Sequence, residues 1–183
     1  QSGEFHDRYF NLKSSQTKNT LWLLLSIDNI FPADLDLNVI ILHKKNNKFN
    51  LIYFFKLIFC LILEKNFNLK KIFHELSFNS FLSKIILNKI NNTFDQSKFE
   101  NVLTPYEGQP FQQSLNNFFK KKNQNTITQG YIHNVLTPFP GEYFFRSGAP
   151  DQLLIHGLSM KSILEKYLDW PKERIKIIKS FMK

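Results

Sequence analysis

Three polar side chains follow short apolar segments in the carboxyl-terminal half of this 183-residue chain: Glu107, His133 and His156. Each of these segments has the composition of a short buried strand. In an open parallel sheet, ligands bind beyond the carboxyl ends of the strands, so we expect the three side chains to share one rim. Glu107 could act as a general base for a hydroxyl group. His133 could act as a base or donate a hydrogen bond to a phosphate.

Each of these candidates also has a purely structural interpretation. Glu107 lies shortly before Pro110, a residue that is tolerated at the first position of a helix. Its carboxylate could therefore cap that helix and interact with the helix dipole. A histidine at a strand end, such as His133 or His156, is more often a hydrogen-bonded structural residue. The spacing alone leaves both interpretations open.

Sequence motifs for metal and nucleotide binding are missing. There is no H-x-x-x-H spacing and no second cysteine to join Cys60, so the sequence predicts no metal site. It contains no G-x-x-x-x-G-K-[ST], no G-x-G-x-x-G and no G-x-S-x-G. The chain therefore carries no self-sufficient nucleotide-binding or hydrolase signature, and we expect no cofactor in this domain.

From about residue 100 onward, strand-like and helix-like patterns alternate. The predicted strands are Asn101–Thr104, Thr126–His133, Asp151–His156 and Ile175–Ile178. The predicted helices run from Pro110 to Lys122 and from Leu158 to Leu168. Alternation with short connections predicts a parallel sheet with helices on its faces. The expected fold class is α/β, a Rossmann-like three-layer α/β/α domain with a mainly parallel sheet.

The first half of the chain has fewer clear signals. Leu21–Ile27 and Leu37–His43 are apolar runs typical of buried strands, and both could belong to one sheet. Leu69–Ile90 has helical spacing, with a break expected between Ser77 and Ser80. Residues 1–5 resemble the remnant of an expression tag, and we set them apart. Residues 6–183 are expected to form a single domain, with Cys60 as a small core residue.

Asn50–Leu63 is the most hydrophobic stretch of the chain. It is shorter than the roughly 20 residues that a membrane span needs, and Lys56 interrupts it. It is either a core helix on one face of the sheet or a helix on an anionic membrane surface, beside Lys44, Lys45 and Lys48.

The formal net charge of +9 likewise indicates either an anionic partner or only a composition rich in Lys, Asn, Ile and Phe. The hydrophobic fraction of 43% and the charged fraction of 21% are those of an ordinary globular protein. The basic residues form no regular stripe, and no RNA-binding aromatic motif is present, which disfavours nucleic acid as a partner.

Four segments of the last third carry a family resemblance: Tyr106–Gln113 (YEGQPFQQ), Thr128–His133 (TQGYIH), Leu153–Gly157 (LLIHG) and Leu164–Arg174 (LEKYLDWPKER). Together they resemble bacterial surface-carbohydrate biosynthesis proteins, which are similar to GT-B glycosyltransferases and to glycerophosphotransferase-like polymerases. The resemblance covers residues 100–183, whereas residues 6–100 match only in general layout.

The resemblance implies the acceptor-side domain of a glycosyltransferase for capsule or lipopolysaccharide synthesis, one half of a GT-B architecture. The nucleotide-sugar donor is expected on a second domain beyond Lys183, so this chain alone is expected to be inactive. The implied partner is a glycan or a lipid-linked acceptor, and the implied location is the cytoplasm, at the periphery of the inner membrane. The alternative is a non-catalytic membrane-peripheral, nucleic-acid-binding or anion-binding module.

The resemblance also assigns site residues. Glu107 and His133 are the implied catalytic residues. The implied substrate-binding residues are Tyr106, Gln109, Gly130, Tyr131, Asn134, His156 and Gly157.

Overall fold

The structure is a computed structural model that describes residues 4–26, 35–43, 59, 78–95, 98–134 and 141–179. The chain divides into two compact units, Gln1–Phe81 and Leu82–Lys183. The apolar stretch 50–63 and its basic flank lie outside the described residues, except that Phe59 is helical. The expectation of a single domain over residues 6–183 stays a prediction.

The described part of the first unit contains two small sheets. Strands β1 (His6–Asp7) and β2 (Leu12–Lys13) pair antiparallel and lead into a 3₁₀ turn at Ser14–Gln16. Strands β3 (Trp22–Ser26) and β4 (Val39–His43) pair parallel, with Trp22 opposite Val39. The second pair confirms the two apolar runs as neighbouring strands. The short β1–β2 hairpin has no counterpart among the sequence predictions, because two-residue strands produce no periodic pattern.

Trp22 organises the packing of the first unit. Its ring lies 5.4 Å from the ring of Phe5 and 6.4 Å from that of Phe10, centroid to centroid. Its indole N–H donates to Thr17 Oγ1 at 2.8 Å, so the buried indole is satisfied. Phe5 therefore takes part in packing, although residues 1–5 resemble the remnant of an expression tag.

The second unit is built on a four-stranded parallel sheet. Its strands are β5 (Asn101–Pro105), β6 (Ile127–Tyr131), β7 (Gln152–Ile155) and β8 (Ile175–Ile177), in that spatial order. Its helices are α1 (Phe78–Thr93, of which the first residues belong to the first unit), α2 (Pro110–Lys122) and α3 (Leu158–Tyr167). The mixed α/β class and the parallel sheet are thus confirmed. The finer expectation of three layers stays a prediction.

The sequential strand order places the connections on one face of the sheet. Crossovers between parallel strands are right-handed, so successive connections in one direction pack on the same side.

The local sequence supports both helix ends of α2, since Pro110 is its first residue and Lys120, Lys121 and Lys122 lie in its last turn.

The core lies on this helix-covered face. Tyr106, Ile132, Leu153, Ile155 and Ile175 point to it from the sheet. Leu164 of α3 and the following Leu168 and Trp170 complete the cluster. Fully burying one such side chain contributes about 1.5–3 kcal/mol relative to leaving it exposed, so this cluster contributes strongly to the stability of the unit.

The connection from β6 to β7 includes a segment, Gly141–Pro150, that we call the strap. At one end Asn116 of α2 donates its side-chain amide to the carbonyl of Gly148 at 2.9 Å. At the other, the Phe145 N–H donates to the carbonyl of Leu168 at 2.9 Å. The Trp170 indole N–H donates to the carbonyl of Tyr143 at 2.6 Å. The strap is therefore fastened to α2 and to the segment that follows α3.

No helix in the described part of the chain combines the length and the apolar character that a membrane crossing needs.

Candidate functional site at the carboxyl edge of the sheet

The four parallel strands end at one edge, and the predicted site residues follow three of them. Glu107 comes two residues after β5 and is exposed, whereas His133 and His156 are half-buried after β6 and β7. The strand ends are in register, because the Tyr106 N–H donates to the Tyr131 carbonyl at 2.8 Å. The carboxyl edge thus carries Glu107, His133 and His156, as the sequence predicted for an open parallel sheet.

Gln112 holds the loop that carries Glu107. Its buried side-chain carbonyl accepts hydrogen bonds from the backbone N–H groups of Glu107 and Gln109, both at 3.0 Å. Its amide nitrogen donates to the carbonyl of Pro105. Gln109 is the N-cap residue of α2, and no acidic residue lies in the first turn. The interpretation of Glu107 as a helix cap is therefore wrong: Gln112, three residues into the capped turn, takes that role.

The Glu107 loop and the strap meet at Gly108. This glycine has a φ of 69°, and a Cβ atom there would lie 2.0 Å from the carbonyl oxygen of Glu142. Arg146 joins the same two segments, since its Nη2 donates to the carbonyls of Gly108 at 3.0 Å and Glu142 at 3.2 Å. No side chain larger than hydrogen fits at position 108 without moving the strap. The backbone that carries Glu107 is thus fixed from two sides.

Tyr106, one of the predicted substrate-binding residues, lies wholly in the core. Its ring makes edge-to-face contacts with Tyr143 and Trp170, at centroid distances of 6.1 and 6.2 Å. Burial raises the pKa of the Tyr106 hydroxyl to about 12; Arg146 opposes this shift. Among the described residues, no hydrogen-bond partner reaches this buried hydroxyl.

Gly130 has a packing role that explains its place in the TQGYIH segment. A Cβ atom at this position would lie 2.9 Å from Cβ and Cγ of Tyr106 and 3.0 Å from Cγ of Pro150. Such contacts are shorter than real Cβ atoms make. Gly130 thus leaves room for Tyr106 to cross β6, and both residues are accounted for by the fold.

Tyr131 and His156 form a hydrogen-bonded pair on the sheet face opposite the core cluster. The Tyr131 hydroxyl lies 2.8 Å from His156 Nε2, and the rings meet edge to face at 84°. His156 Nδ1 lies 3.4 Å from the carbonyl oxygen of Ile178. If Nδ1 carries the proton and donates to that carbonyl, Tyr131 donates to Nε2. The pair ties together the carboxyl ends of β6, β7 and β8.

The remaining predicted site residues are spread along the same edge. Asn134 is exposed and Gln109 is half-buried. Gly157 is the N-cap residue of α3 and has a φ of 81°, and no atom of the described residues lies within 4 Å of an added Cβ there. Among the described residues, the edge next to His156 is therefore open.

Three strap residues near Glu107 were missed in the sequence analysis: Glu142, Tyr143 and Arg146. Burial raises the pKa of the Tyr143 hydroxyl, and the carboxylates of Glu107 and Glu142 raise it further. These residues fall in a Pro- and Gly-containing loop, where no periodic signal exists. The only hint is an arginine in a run of aromatic residues, Tyr143 to Arg146.

The opposite, amino edge of the sheet carries a polar cluster with a structural role. Asp151 accepts hydrogen bonds from the N–H and the hydroxyl of Thr128, both at 2.9 Å, and forms an ion pair with Lys120 at 2.9 Å. Burial acts to raise the pKa of Asp151, but the bonds from Thr128 and Lys120 outweigh it and lower that pKa below its ordinary value. This cluster fastens α2 and the end of the strap to the sheet.

In the part of the chain that the structure describes, no group of three or more His, Cys, Asp or Glu residues could hold a metal ion. Comparisons with protein-family models, curated proteins and solved structures give no match to this chain.

Proposed function

We propose that this chain is the acceptor-side domain of a glycosyltransferase for surface polysaccharide synthesis, one Rossmann-like half of a GT-B architecture. It would bind a glycan or lipid-linked acceptor, while a second domain would hold the nucleotide-activated sugar. Two observations support this proposal. The sheet is parallel, and the segments that resemble this family have polar residues at its carboxyl edge.

The packing separates those polar residues into two groups. Tyr106 and Gly130 are explained by the core, and Tyr131 with His156 fastens the strand ends. Packing does not explain the exposed Glu107, whose carboxylate makes no hydrogen bond to any described residue. A residue that the fold does not need, held at a ligand-binding edge, is the better candidate for chemistry.

The observation that carries the proposal is that the backbone of Glu107 is held in place while its carboxylate is exposed. Its backbone is fixed by Gln112, and the adjacent Gly108 is held by Arg146, while its carboxylate faces solvent. A general base needs a carboxylate that is held in place yet able to accept a proton.

In the proposed reaction, Glu107 accepts the proton of an acceptor hydroxyl as the oxygen attacks the anomeric carbon of the donor sugar. The new bond joins that oxygen to the anomeric carbon. The bond from the anomeric carbon to the nucleotide phosphate breaks, and the phosphate leaves with the electron pair. Closure of the second domain over the edge would exclude water from this step.

This assignment is tested by measuring sugar transfer by a full-length enzyme, which the proposal requires to contain the second domain. Glu107→Gln should lower kcat about 10²–10⁴-fold, because the amide cannot accept the proton, while acceptor affinity and thermal stability stay close to the parent. The matched control is Glu100→Gln, at the exposed amino end of β5. Equal turnover in the two variants, or a full-length protein that transfers no sugar, would contradict the proposal.

A further inference from the structure

The strap and the Glu107 loop bring together four side chains, Glu107, Glu142, Tyr143 and Arg146, that we call the strap cluster. Their proximity rests on contacts of the backbone: Arg146 bonds to the carbonyls of Gly108 and Glu142, and these two segments are in van der Waals contact. The carboxylates of Glu107 and Glu142 both act on the Tyr143 hydroxyl. The cluster therefore extends the candidate site from one residue to four.

The polar groups of the strap cluster are largely uncommitted within the described residues. The side chains of Glu142 and Tyr143, like that of Glu107, make no hydrogen bond to a described residue, and Arg146 bonds only through Nη2. The ring of Tyr106 contacts that of Tyr143, and its hydroxyl is fully buried without a described partner, within the electrostatic reach of Arg146. An unsatisfied buried hydroxyl costs about 1–3 kcal/mol, so a partner for it is favoured.

The charge of the strap cluster selects among ligands. Two carboxylates and one guanidinium leave a net charge of −1, which repels phosphate and carboxylate groups. Carboxylates accept hydrogen bonds, whereas guanidinium and phenol groups donate them. Neighbouring sugar hydroxyls both donate and accept, so they match this combination without adding charge.

We infer that the strap cluster is the acceptor subsite and that it takes a neutral sugar unit, rather than a polyol phosphate or an acidic sugar. Glu142 and Arg146 hold hydroxyls next to the one that reacts at Glu107. This inference rests on the proposed function, because it names the acceptor of the same site.

The test compares matched ligands on the 183-residue chain by isothermal titration and by amide chemical shifts. The probes are trisaccharides of neutral hexoses and N-acetylhexosamines, the same trisaccharides with the C6 hydroxyls oxidised to carboxylates, and a glycerol phosphate trimer. We expect at least one neutral probe to bind at least fivefold more tightly than its oxidised form, with amide shifts at the strap cluster.

A charge reversal provides the second arm. Glu142→Lys changes the net charge of the strap cluster from −1 to +1, and its side chain has no described partner whose loss would disturb the fold. Coulomb attraction to a charge about 6 Å away in water, reduced by salt, should shift the preference about fivefold toward the oxidised probe. Glu100→Lys changes the total charge equally at the amino edge and should leave the preference unchanged.

The outcomes separate this inference from the proposed function. Tighter binding of the oxidised or phosphate probes at the strap cluster would overturn the neutral-sugar inference and leave the glycosyltransferase proposal standing. A preference that Glu142→Lys does not change, or that Glu100→Lys changes equally, would overturn it too. If no probe shifts the amides of the strap cluster, both fail.

Discussion

Gly130→Ala tests how Tyr106 packs across β6. The added methyl group would lie 2.9 Å from two atoms of the Tyr106 side chain and 3.0 Å from Pro150 Cγ, in the core of the second unit. Overpacking of this kind costs about 1–3 kcal/mol. Alanine also restricts the unfolded chain, which returns about 0.4–1 kcal/mol. We therefore expect a net loss of about 1–2 kcal/mol in the free energy of unfolding.

Urea and thermal denaturation measure this loss. For a unit of this size, 1 kcal/mol corresponds to about 4–8 °C in Tm, so a decrease of about 5–15 °C is expected. The fluorescence of Trp170, in the same buried cluster as Tyr106, reports unfolding. The matched control is Gly141→Ala, because no atom of the residues that the structure describes lies within 4 Å of the added Cβ there. Equal stability of the two variants would refute the packing of Tyr106 over Gly130.

Three other contacts give further predictions. Tyr131→Phe removes the 2.8 Å bond to His156 and should lower the free energy of unfolding in urea by about 1 kcal/mol. A double-mutant cycle with His156→Leu should give a coupling energy of similar size, and zero coupling would contradict the bond. The pKa of Asp151 is lowered, so its contribution to stability is present above pH 3.8 and is lost as the pH falls below that value. Asp151→Asn should flatten the curve of stability against pH in that acid range. Lys120→Met, which removes the partner of Asp151, should flatten it less. A curve parallel to that of the parent protein would count against the ion pair. Trp170→Phe loses the 2.6 Å bond to the strap and should speed hydrogen exchange of strap amides more than that of sheet amides, whereas equal acceleration in both would contradict this fastening.

The strands and helices of the second unit were largely predictable from the sequence. Four short apolar runs define β5 to β8, and the helical patterns that follow β5 and β7 define α2 and α3, with Pro110 as the first residue of α2. The part of the predicted Leu69–Ile90 helix that the structure describes appears as α1, Phe78–Thr93, whereas residues 69–77 lie outside the described residues. These elements have strong periodicity because one face of each packs against the core.

The parts of the site that the sequence could not predict lie in irregular segments. Glu107 was found because it follows a strand, whereas Arg146 lies in a loop whose position depends on contacts with Gly108 and Trp170. The cap of α2 was also misjudged, since an acidic residue near a helix start was an obvious candidate and the neutral Gln112 takes that role. A long-range contact decides the position of Arg146, whereas the capping of α2 is local and was missed because glutamine takes the place of the expected acidic residue.

The central claim is that an acceptor glycan binds at the carboxyl edge of the sheet, between the Glu107 loop and the strap. Amide chemical-shift mapping of the chain, titrated with neutral trisaccharides, tests it most directly. The claim predicts the largest shifts at Glu107, Gly108, Tyr143 and Arg146. Shifts centred instead on the amino edge, around Thr128 and Asp151, or no saturable shifts at all, would contradict it.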